Sequence, residues 1–403
     1  MLQYIACGEN KFIVIYLKCG FFRNFDNMRD GDYMKQNEEY RPVDISTLLG
    51  KNEDDPIGFR KFNSKYRREI DRRTHTDKCY ICKKECKGFC NSHTIPRFSL
   101  EKIAQDGMLF NNFAPFDIAH IDSQNGVEKS IVFHLICQAC DGSIFQDYEN
   151  EENYVSPPSQ VMLAEIVLKL KLRYIWLKHR EIEAYKILTE NIPSNSDAEY
   201  VMRKKLNEAI YFRKKIENEY SYAKNIINSK GTIADSYQIE LFAKLPYRTA
   251  VAVQEEYVVY VDLQDEIIYN IYDTDNKKIK YQRGIYVCVF PMSSFTVLLV
   301  FRESNNKDYM DFFSDFNVMT LDQKLQVLNY IIFSYGENYM ISPSVPKETI
   351  DKLKIAAEKN DVIRSRSDLD PKVVGAKHLI NSFSFSKMDS IPNLLDSKYA
   401  LPL

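Results

Sequence analysis

The sequence lacks the features that would place a chain in or across a membrane. No stretch approaches the roughly 18 uninterrupted apolar residues that a membrane-spanning helix needs. Residues Met1 to Ile5 show neither the basic segment nor the cleavage site of a signal peptide. Nine cysteines, an odd number, then favour free thiols and bound metal over a set of disulfides. We therefore expect a cytoplasmic protein that makes no membrane contact.

The chain also lacks a strong overall charge, an internal repeat and any low-complexity tract. Its 403 residues are long enough for two or three domains. Hydrophobic residues make up 45% of the chain and charged residues 27%, which is typical of a globular protein. The net charge of −2 excludes a protein that binds polyanions over its whole surface.

Positive charge is nevertheless concentrated in one segment. Between Arg60 and Arg97 the chain has 12 lysines and arginines but only four acidic residues. Neutralising phosphates requires a local basic patch rather than a basic protein. This segment therefore predicts contact with nucleic acid, although a solvated helix face would have the same composition.

Two pairs of cysteines flank a polar insert directly after this basic segment. The first pair is Cys79 and Cys82, the second is Cys137 and Cys140, and 54 residues lie between the pairs. A Cys-x-x-Cys on a tight turn directs two thiolates at one ion, and two such pairs complete the tetrahedron of a structural Zn²⁺. Cys86 and Cys90 are further thiols that could replace a ligand or remain outside the site, and an iron–sulfur cluster is a weaker alternative.

The order of elements around these cysteines predicts a treble-clef or ββα-metal module. His93-Thr94-Ile95-Pro96 would leave the first knuckle as an extended strand, because the residue before a proline is disfavoured in the α region. Residues 131–136 would form the strand that leads to the second knuckle, and a short helix would follow Cys140. Residues 105–130 would be a loop-rich insert.

The remaining chain predicts an α+β protein in five parts. Residues 1–58 would be an N-terminal strand and arm, and residues 59–155 the basic segment with the zinc module. Residues 156–230 would be a helical hairpin whose second helix opens with the capping box Ser196-x-x-Glu199. Residues 231–360 would be a mixed α/β domain, with strands predicted between 249 and 301, and residues 361–403 a polar tail. The C-terminal half shows no nucleophile elbow, phosphate loop or paired-carboxylate motif.

Four short motifs resemble the HNH (ββα-metal) endonucleases. They are C-Y-I-C at 79–82, S-H-T-I-P at 92–96, L-I-C-Q-A-C-D at 135–141 and F-Q-D-Y-E at 145–149. In particular they are similar to a group of bacterial proteins that carry an HNH-type zinc module. The resemblance covers Cys79 to Glu149, about a sixth of the chain.

The resemblance implies a site for phosphodiester hydrolysis. His93 matches the family's general base, and Asp141 matches its last metal-binding position, where an oxygen ligand suits Mg²⁺ or Mn²⁺. Asp147 or Glu149 could assist that metal. The sequence departs from the family at two places. Ser92 stands where an acidic metal ligand is common, and the asparagine expected before the second knuckle is missing.

These residues leave several functions open. The first hypothesis is a metal-dependent HNH-like nuclease, which the resemblance places in bacterial anti-phage defence. The alternative is a non-catalytic zinc module that binds nucleic acid or protein, with His93 at the zinc and Asp141 as a helix N-cap. A third is an enzyme with its site in residues 231–360. The C-terminal half could also bind a protein partner or form an oligomer.

Overall fold

The computed structural model describes most of the chain beyond residue 55. The described residues are 2–3, 16–17, 56–111, 123–230, 236–273, 282–336, 338–357 and 371–403. Most of the predicted N-terminal arm, the centre of the predicted insert and residues 361–370 of the predicted tail lie outside them. Residues Leu2–Gln3 (β1) and Tyr16–Leu17 (β2) pair as short antiparallel strands.

The described helices and strands confirm the mixed α+β class predicted from the sequence. The α-helices are α1 (Pro56–Thr74), α2 (Arg97–Ile103), α3 (Gln138–Ile144), α4 (Gln160–Glu190), α5 (Asp197–Asn228), α6 (Met310–Val318), α7 (Leu321–Tyr335), α8 (Lys347–Ala357) and α9 (Pro371–Phe383). The other strands are β3 (Ser92–His93), β4 (Met108–Asn111), β5 (Ser123–Gly126), β6 (Val132–Phe133), β7 (Tyr237–Leu245), β8 (Val251–Tyr257), β9 (Ile285–Pro291), β10 (Thr296–Glu303) and β11 (Tyr339–Ile341). No helix in this described part is long and apolar enough to cross a bilayer.

One antiparallel sheet joins the predicted zinc module to the C-terminal half. Its strand order is β5-β4-β11-β8-β9-β10-β7. The hairpin β4–β5 comes from the predicted insert, and Met340 of β11 pairs with Asn111 of β4. The sequence predicted apolar strands at 249–253, 285–290 and 295–301, which correspond to β8, β9 and β10, but not β7 or the insert hairpin. The strand predicted at 257–261 does not form, because β8 ends at Tyr257. The predicted regions 59–155 and 231–360 therefore share a sheet.

The sheet is covered on both faces, which explains its continuous apolar strands. On β9, Val287 and Val289 pack against helices α6 to α9. The alternate residues Cys288 and Phe290 pack against α4, α5 and the cysteine-rich region. Residues predicted as a polar tail also enter the first of these cores, because Leu379, Leu394 and Leu395 are buried there.

The helical hairpin α4–α5 forms as the sequence predicted. The hydroxyl of Ser196 accepts a hydrogen bond from the backbone N–H of Glu199, as a capping box requires. The carboxylate of Glu199, however, accepts from the N–H of Asn195 rather than from that of Ser196. The acidic residue of the capping box therefore binds the backbone N–H one residue before the N-cap, instead of that of the N-cap itself.

Helix α4 lies between the cysteine-rich region and the sheet, and charged side chains are buried along it. Lys171 pairs with Glu219 of α5 at 2.5 Å and with Glu256 of β8. Charge without a partner would be very costly at this depth. This group of three therefore links the hairpin to the sheet by charge as well as by packing.

Candidate metal centre

The four predicted cysteines meet at one point. The sulfur atoms of Cys79, Cys82, Cys137 and Cys140 all lie within 4.8 Å of one another. A tetrahedral zinc with Zn–S bonds of about 2.3 Å requires sulfur atoms about 3.8 Å apart. The Sγ atoms of Cys82 and Cys137 are 3.9 Å apart. The four residues therefore fit a structural zinc ion.

Backbone hydrogen bonds bring the two cysteine pairs together. The first knuckle closes where Cys79 donates its N–H to the carbonyl of Lys84 and Lys83 donates to that of Cys79. Lys83 has a φ of 62°, the left-handed conformation that lets this turn close. The N–H of Tyr80 then donates to the carbonyl of Leu135, two residues before the second pair, at 2.9 Å. The turn geometry and this hydrogen bond thus bring together two cysteine pairs that lie far apart in the sequence.

The thiols differ in how readily they ionise. Burial would raise the pKa of Cys79, but the backbone N–H groups of Cys82, Cys137 and Ile81 lower it to about 7. Burial and the three neighbouring thiols instead raise the pKa of Cys140. Four crowded thiolates need a cation to be stable together, and a bound Zn²⁺ supplies that charge.

The other two cysteines of this region lie outside the metal-binding group. Cys90 donates its thiol hydrogen to the carbonyl of Ile136 at 3.2 Å. Burial, and next to it the Asp141 charge, raises the pKa of Cys90 to about 12. Burial also raises the pKa of Cys86, and the neighbouring thiols add to that effect. Neither thiol belongs to the metal-binding group found among the described residues, so neither replaces one of its four cysteines.

His93, the predicted base, lies on β3 and is 8% exposed. Its Nε2 is 3.0 Å from the carbonyl oxygen of Val127, at the end of the insert. His93 does not belong to the metal-binding group found among the described residues. In the structure, His93 therefore does not replace a cysteine in the metal-binding group.

Asp141 lies in the first turn of α3, where Cys137 rather than Asp141 is the N-cap residue. The predicted alternative, in which Asp141 is the N-cap of this helix, is therefore wrong. Its Oδ1 accepts a hydrogen bond from the hydroxyl of Ser92 at 2.7 Å. Neighbouring residues of a strand point to opposite faces, so Ser92 faces Asp141 while His93 turns toward Val127. In the described structure, no hydrogen bond joins His93 to Asp141.

Lys169 of α4, which was not predicted from the sequence, completes this polar cluster. Its ammonium is 2.5 Å from Oδ1 of Asp141 and 2.9 Å from Oε1 of Glu149, and its side chain is 1% exposed. The same ammonium lies 4.2 Å from the centre of the Phe145 ring. A lysine within the apolar run 166–172 was the available signal, since a charge on a buried helix needs a partner.

Glu165, one helical turn before Lys169, is also buried at the edge of this cluster. Its Oε2 accepts the backbone N–H of Tyr148 at 3.0 Å. Burial raises the pKa of Glu165 to about 8, against the effect of that hydrogen bond. Burial therefore favours the neutral form of Glu165.

No family model, no curated protein and no solved structure matches this chain. The site therefore has to be interpreted from its own residues. Its metal-binding group consists of four sulfur atoms. The carboxylates that could offer oxygen ligands to a second metal are already in contact with other groups: Asp141 with Ser92 and Lys169, and Glu149 with Lys169.

The predicted basic segment is partly neutralised. Arg72 and Arg73 pair with Glu69, and Arg73 also pairs with Glu190. Farther along, Arg97 pairs with Glu101 and Glu128. These guanidinium groups are therefore paired with carboxylates, although those of Arg72 and Arg97 remain exposed.

The lysines around the first knuckle are different. Lys78, Lys84 and Lys87 are exposed, and none has an ion-pair partner within the part of the chain that the structure describes. Lys83 is also exposed and lies 4.2 Å from the centre of the Tyr80 ring. We call these four residues the knuckle lysines. They give a net positive charge to the turn beside the four cysteines, which also carries the exposed Asp77 and Glu85.

Proposed function

We propose that this protein is a zinc-stabilised nucleic-acid-binding protein whose HNH-like module does not cut the strand it binds. The observation that carries this proposal is the position of the Lys169 ammonium, which contacts both Asp141 and Glu149. These carboxylates are the oxygen ligands that a catalytic Mg²⁺ or Mn²⁺ would need. A fixed monovalent charge takes the place of the divalent ion.

A metal ion could not easily displace this lysine. The side chain of Lys169 is 1% exposed, so its ammonium has no direct route to water. Moving a buried charge away from its partners costs several kcal/mol. Mg²⁺ also needs near-octahedral geometry and retains several of its waters, whereas the hydroxyl of Ser92 already contacts the same oxygen of Asp141.

The cysteine site supports a structural rather than a catalytic role for zinc. A catalytic zinc keeps one position open for water, and a site closed by four cysteines does not. Cys79, Cys82, Cys137 and Cys140 would therefore stabilise the turn that presents the knuckle lysines. Phosphate oxygens are the natural partners of exposed ammonium groups that form no ion pair within the protein.

Binding and cleavage should be measured together on labelled single-stranded and double-stranded DNA and RNA, with Mg²⁺, Mn²⁺ or EDTA. We expect binding that weakens with salt, and no cleavage with either metal. A triple variant, Lys78→Ala, Lys84→Ala and Lys87→Ala, should reduce the slope of log K against log salt by about 2 to 3. Absence of binding to every nucleic acid would refute the proposal.

A matched control uses lysines from elsewhere on the surface. Lys347, Lys352 and Lys377 are exposed on α8 and α9, in the C-terminal half. Their replacement by alanine changes the net charge by the same amount. We expect a much smaller effect on the salt slope. Equal effects of the two triple variants would mean that overall charge, and not the knuckle, determines binding.

The HNH-like nuclease of anti-phage defence is the second candidate, favoured by one contact. The carbonyl of Val127 lies 3.0 Å from Nε2 of His93, which is an orienting partner that the sequence did not reveal. A base fixed at one ring nitrogen can use the other to activate water. Cleavage that requires Mg²⁺ or Mn²⁺ and is lost in His93→Ala, with zinc content unchanged, would favour this candidate over the first.

A further inference from the structure

The only tryptophan of the chain lies at the edge of the zinc region. Trp176 is half-buried on α4, beside His134, which directly follows β6. The ring of His134 is 6.3 Å away, centre to centre, in an edge-on arrangement. The guanidinium of Arg180, one helical turn farther along α4, lies 4.9 Å from the centre of the indole. Three flat groups therefore share one surface.

Neighbouring elements fix the two partners of this tryptophan. Arg180 pairs with Asp71 of α1, and a ring nitrogen of His134 lies 2.8 Å from Oδ1 of Asn91. Asn91 and His134 are both exposed. The two flanking groups are thus each held by a polar contact, which reduces the entropy lost when a ligand stacks beside them. The His134 side is exposed, whereas the Arg180 side chain is 13% exposed.

This surface is joined to cationic residues of α1. Arg68 precedes Asp71 by three residues, so the two lie side by side on the helix surface. Arg68 is exposed, as is Lys65 one turn earlier. A nucleic acid that reached Trp176 would therefore have positive charge along its path on one side.

We propose that Trp176, flanked by Arg180 and His134, stacks on an unpaired base of a single-stranded nucleic acid. This inference rests on the proposed nucleic-acid binding and names its substrate class. Every base offers a flat face, so stacking on an aromatic or guanidinium group tolerates any sequence. In a duplex these faces are covered by neighbouring base pairs, so double strands would meet only the lysines and arginines.

The single tryptophan makes this proposal directly measurable. Its emission should be quenched when an oligonucleotide of about 12 unpaired nucleotides binds, since stacking on a base alters the indole's surroundings. A duplex of the same length should bind with little change in emission. Quenching by single strands, absent with duplex at matched occupancy, supports the inference. Equal emission changes, or none with either ligand, would overturn it.

Two variants test the same point by affinity, measured as anisotropy of a labelled oligonucleotide. Trp176→Leu, which keeps an apolar side chain without the flat ring, should weaken single-strand binding by about 5- to 150-fold. Duplex affinity should stay within about twofold. Trp176→Phe should lose less, because it keeps a ring. The control is Tyr200→Ala, since Tyr200 is an aromatic residue 67% exposed on α5.

The outcomes separate the two proposals. If neither single strands nor duplexes bind, the proposed function fails together with the inference. If both bind and the Trp176 variants match the wild type, only the stacking platform is refuted. If the Trp176 variants lose zinc or unfold, the emission of the wild-type protein decides the question. If Trp176→Leu lowers duplex and single-strand affinity equally, the residue acts through the fold and the inference is wrong.

Discussion

Replacing Lys169 by methionine tests the central feature of the site. Methionine retains most of the apolar stem and removes only the ammonium. Breaking a fully buried ion pair by removing one partner costs about 3–5 kcal/mol. The carboxylates of Asp141 and Glu149 are 21% and 33% exposed, so water screens part of this cost. We therefore expect a loss of about 2–3 kcal/mol in the free energy of unfolding.

The loss should depend on pH in a defined direction. Burial raises the pKa of Glu149, and Lys169 opposes that rise. Without Lys169 the pKa of Glu149 rises further above its unfolded value, so the folded state binds its proton more strongly. The variant is then destabilised most where the unfolded carboxyl has ionised, and the loss shrinks as pH falls. Urea unfolding at about pH 5 and about pH 7 measures this difference, because the unfolded carboxyl ionises just below that range.

A second lysine on the same helix provides the control. Lys186 pairs with Glu183 at 2.7 Å, but its side chain is 46% exposed. An exposed pair of this kind contributes at most about 1 kcal/mol, so Lys186→Met should be nearly neutral. If Lys169→Met costs no more than Lys186→Met, then Lys169 does not neutralise the carboxylates and the argument fails.

The same variant tests whether the ammonium occupies the place of a metal. With Lys169→Met, Asp141 and Glu149 become available to Mn²⁺. Millimolar Mn²⁺ should then raise the melting temperature of the variant, because ligand binding to the folded state stabilises it. The wild-type protein should not respond. Equal stabilisation of both proteins would show that the ion binds elsewhere.

Three further predictions follow from the metal centre, the buried acid and helix packing. The chain should bind one zinc, and Cys137→Ser should lose it and unfold at lower urea, whereas Cys288→Ser should keep full zinc content by elemental analysis. Because burial raises the pKa of Glu165 to about 8, wild-type stability should fall as pH rises from about 5 to 8. Glu165→Gln should lessen that fall, and an unchanged slope in urea titrations would contradict it. An alanine Cβ at Gly375 would lie 2.3 Å from Tyr272, so Gly375→Ala should lower stability by about 1–3 kcal/mol, and calorimetry showing no loss would mean that α9 is not docked there.

The sequence revealed most where the chemistry is local. The Cys-x-x-Cys spacing predicted the four cysteines that meet at one point, since each pair is positioned by its own turn. The apolar runs at 249–253, 285–290 and 295–301 predicted three central strands, because strands covered on both faces are continuously apolar. The SHTIP motif placed His93 on a strand, and the structure has it on β3.

What the sequence did not reveal depends on contacts between distant segments. Lys169 meets Asp141 only because α4 packs behind α3, and nothing near either residue in sequence predicts that contact. Likewise Met108–Asn111 is too short and too ordinary to indicate a strand until β11 pairs with it. Whether His93 and Asp141 act together depends on whether Asp141 lies against the face of β3 that carries the His93 side chain. The motif alone does not show this.

The position of β11 between β4 and β8 affects how the chain folds during its synthesis as well as how the finished protein packs. Strand β4 pairs with Met340 and Ile341, and these residues leave the ribosome more than two hundred residues after it. Until then, β4 and β8 both expose unpaired backbone groups, which invites pairing with other chains. A fragment ending near residue 155 would keep all four zinc ligands but retain that open edge. We therefore expect such a fragment to aggregate, and a useful truncation would have to retain residues 339–341.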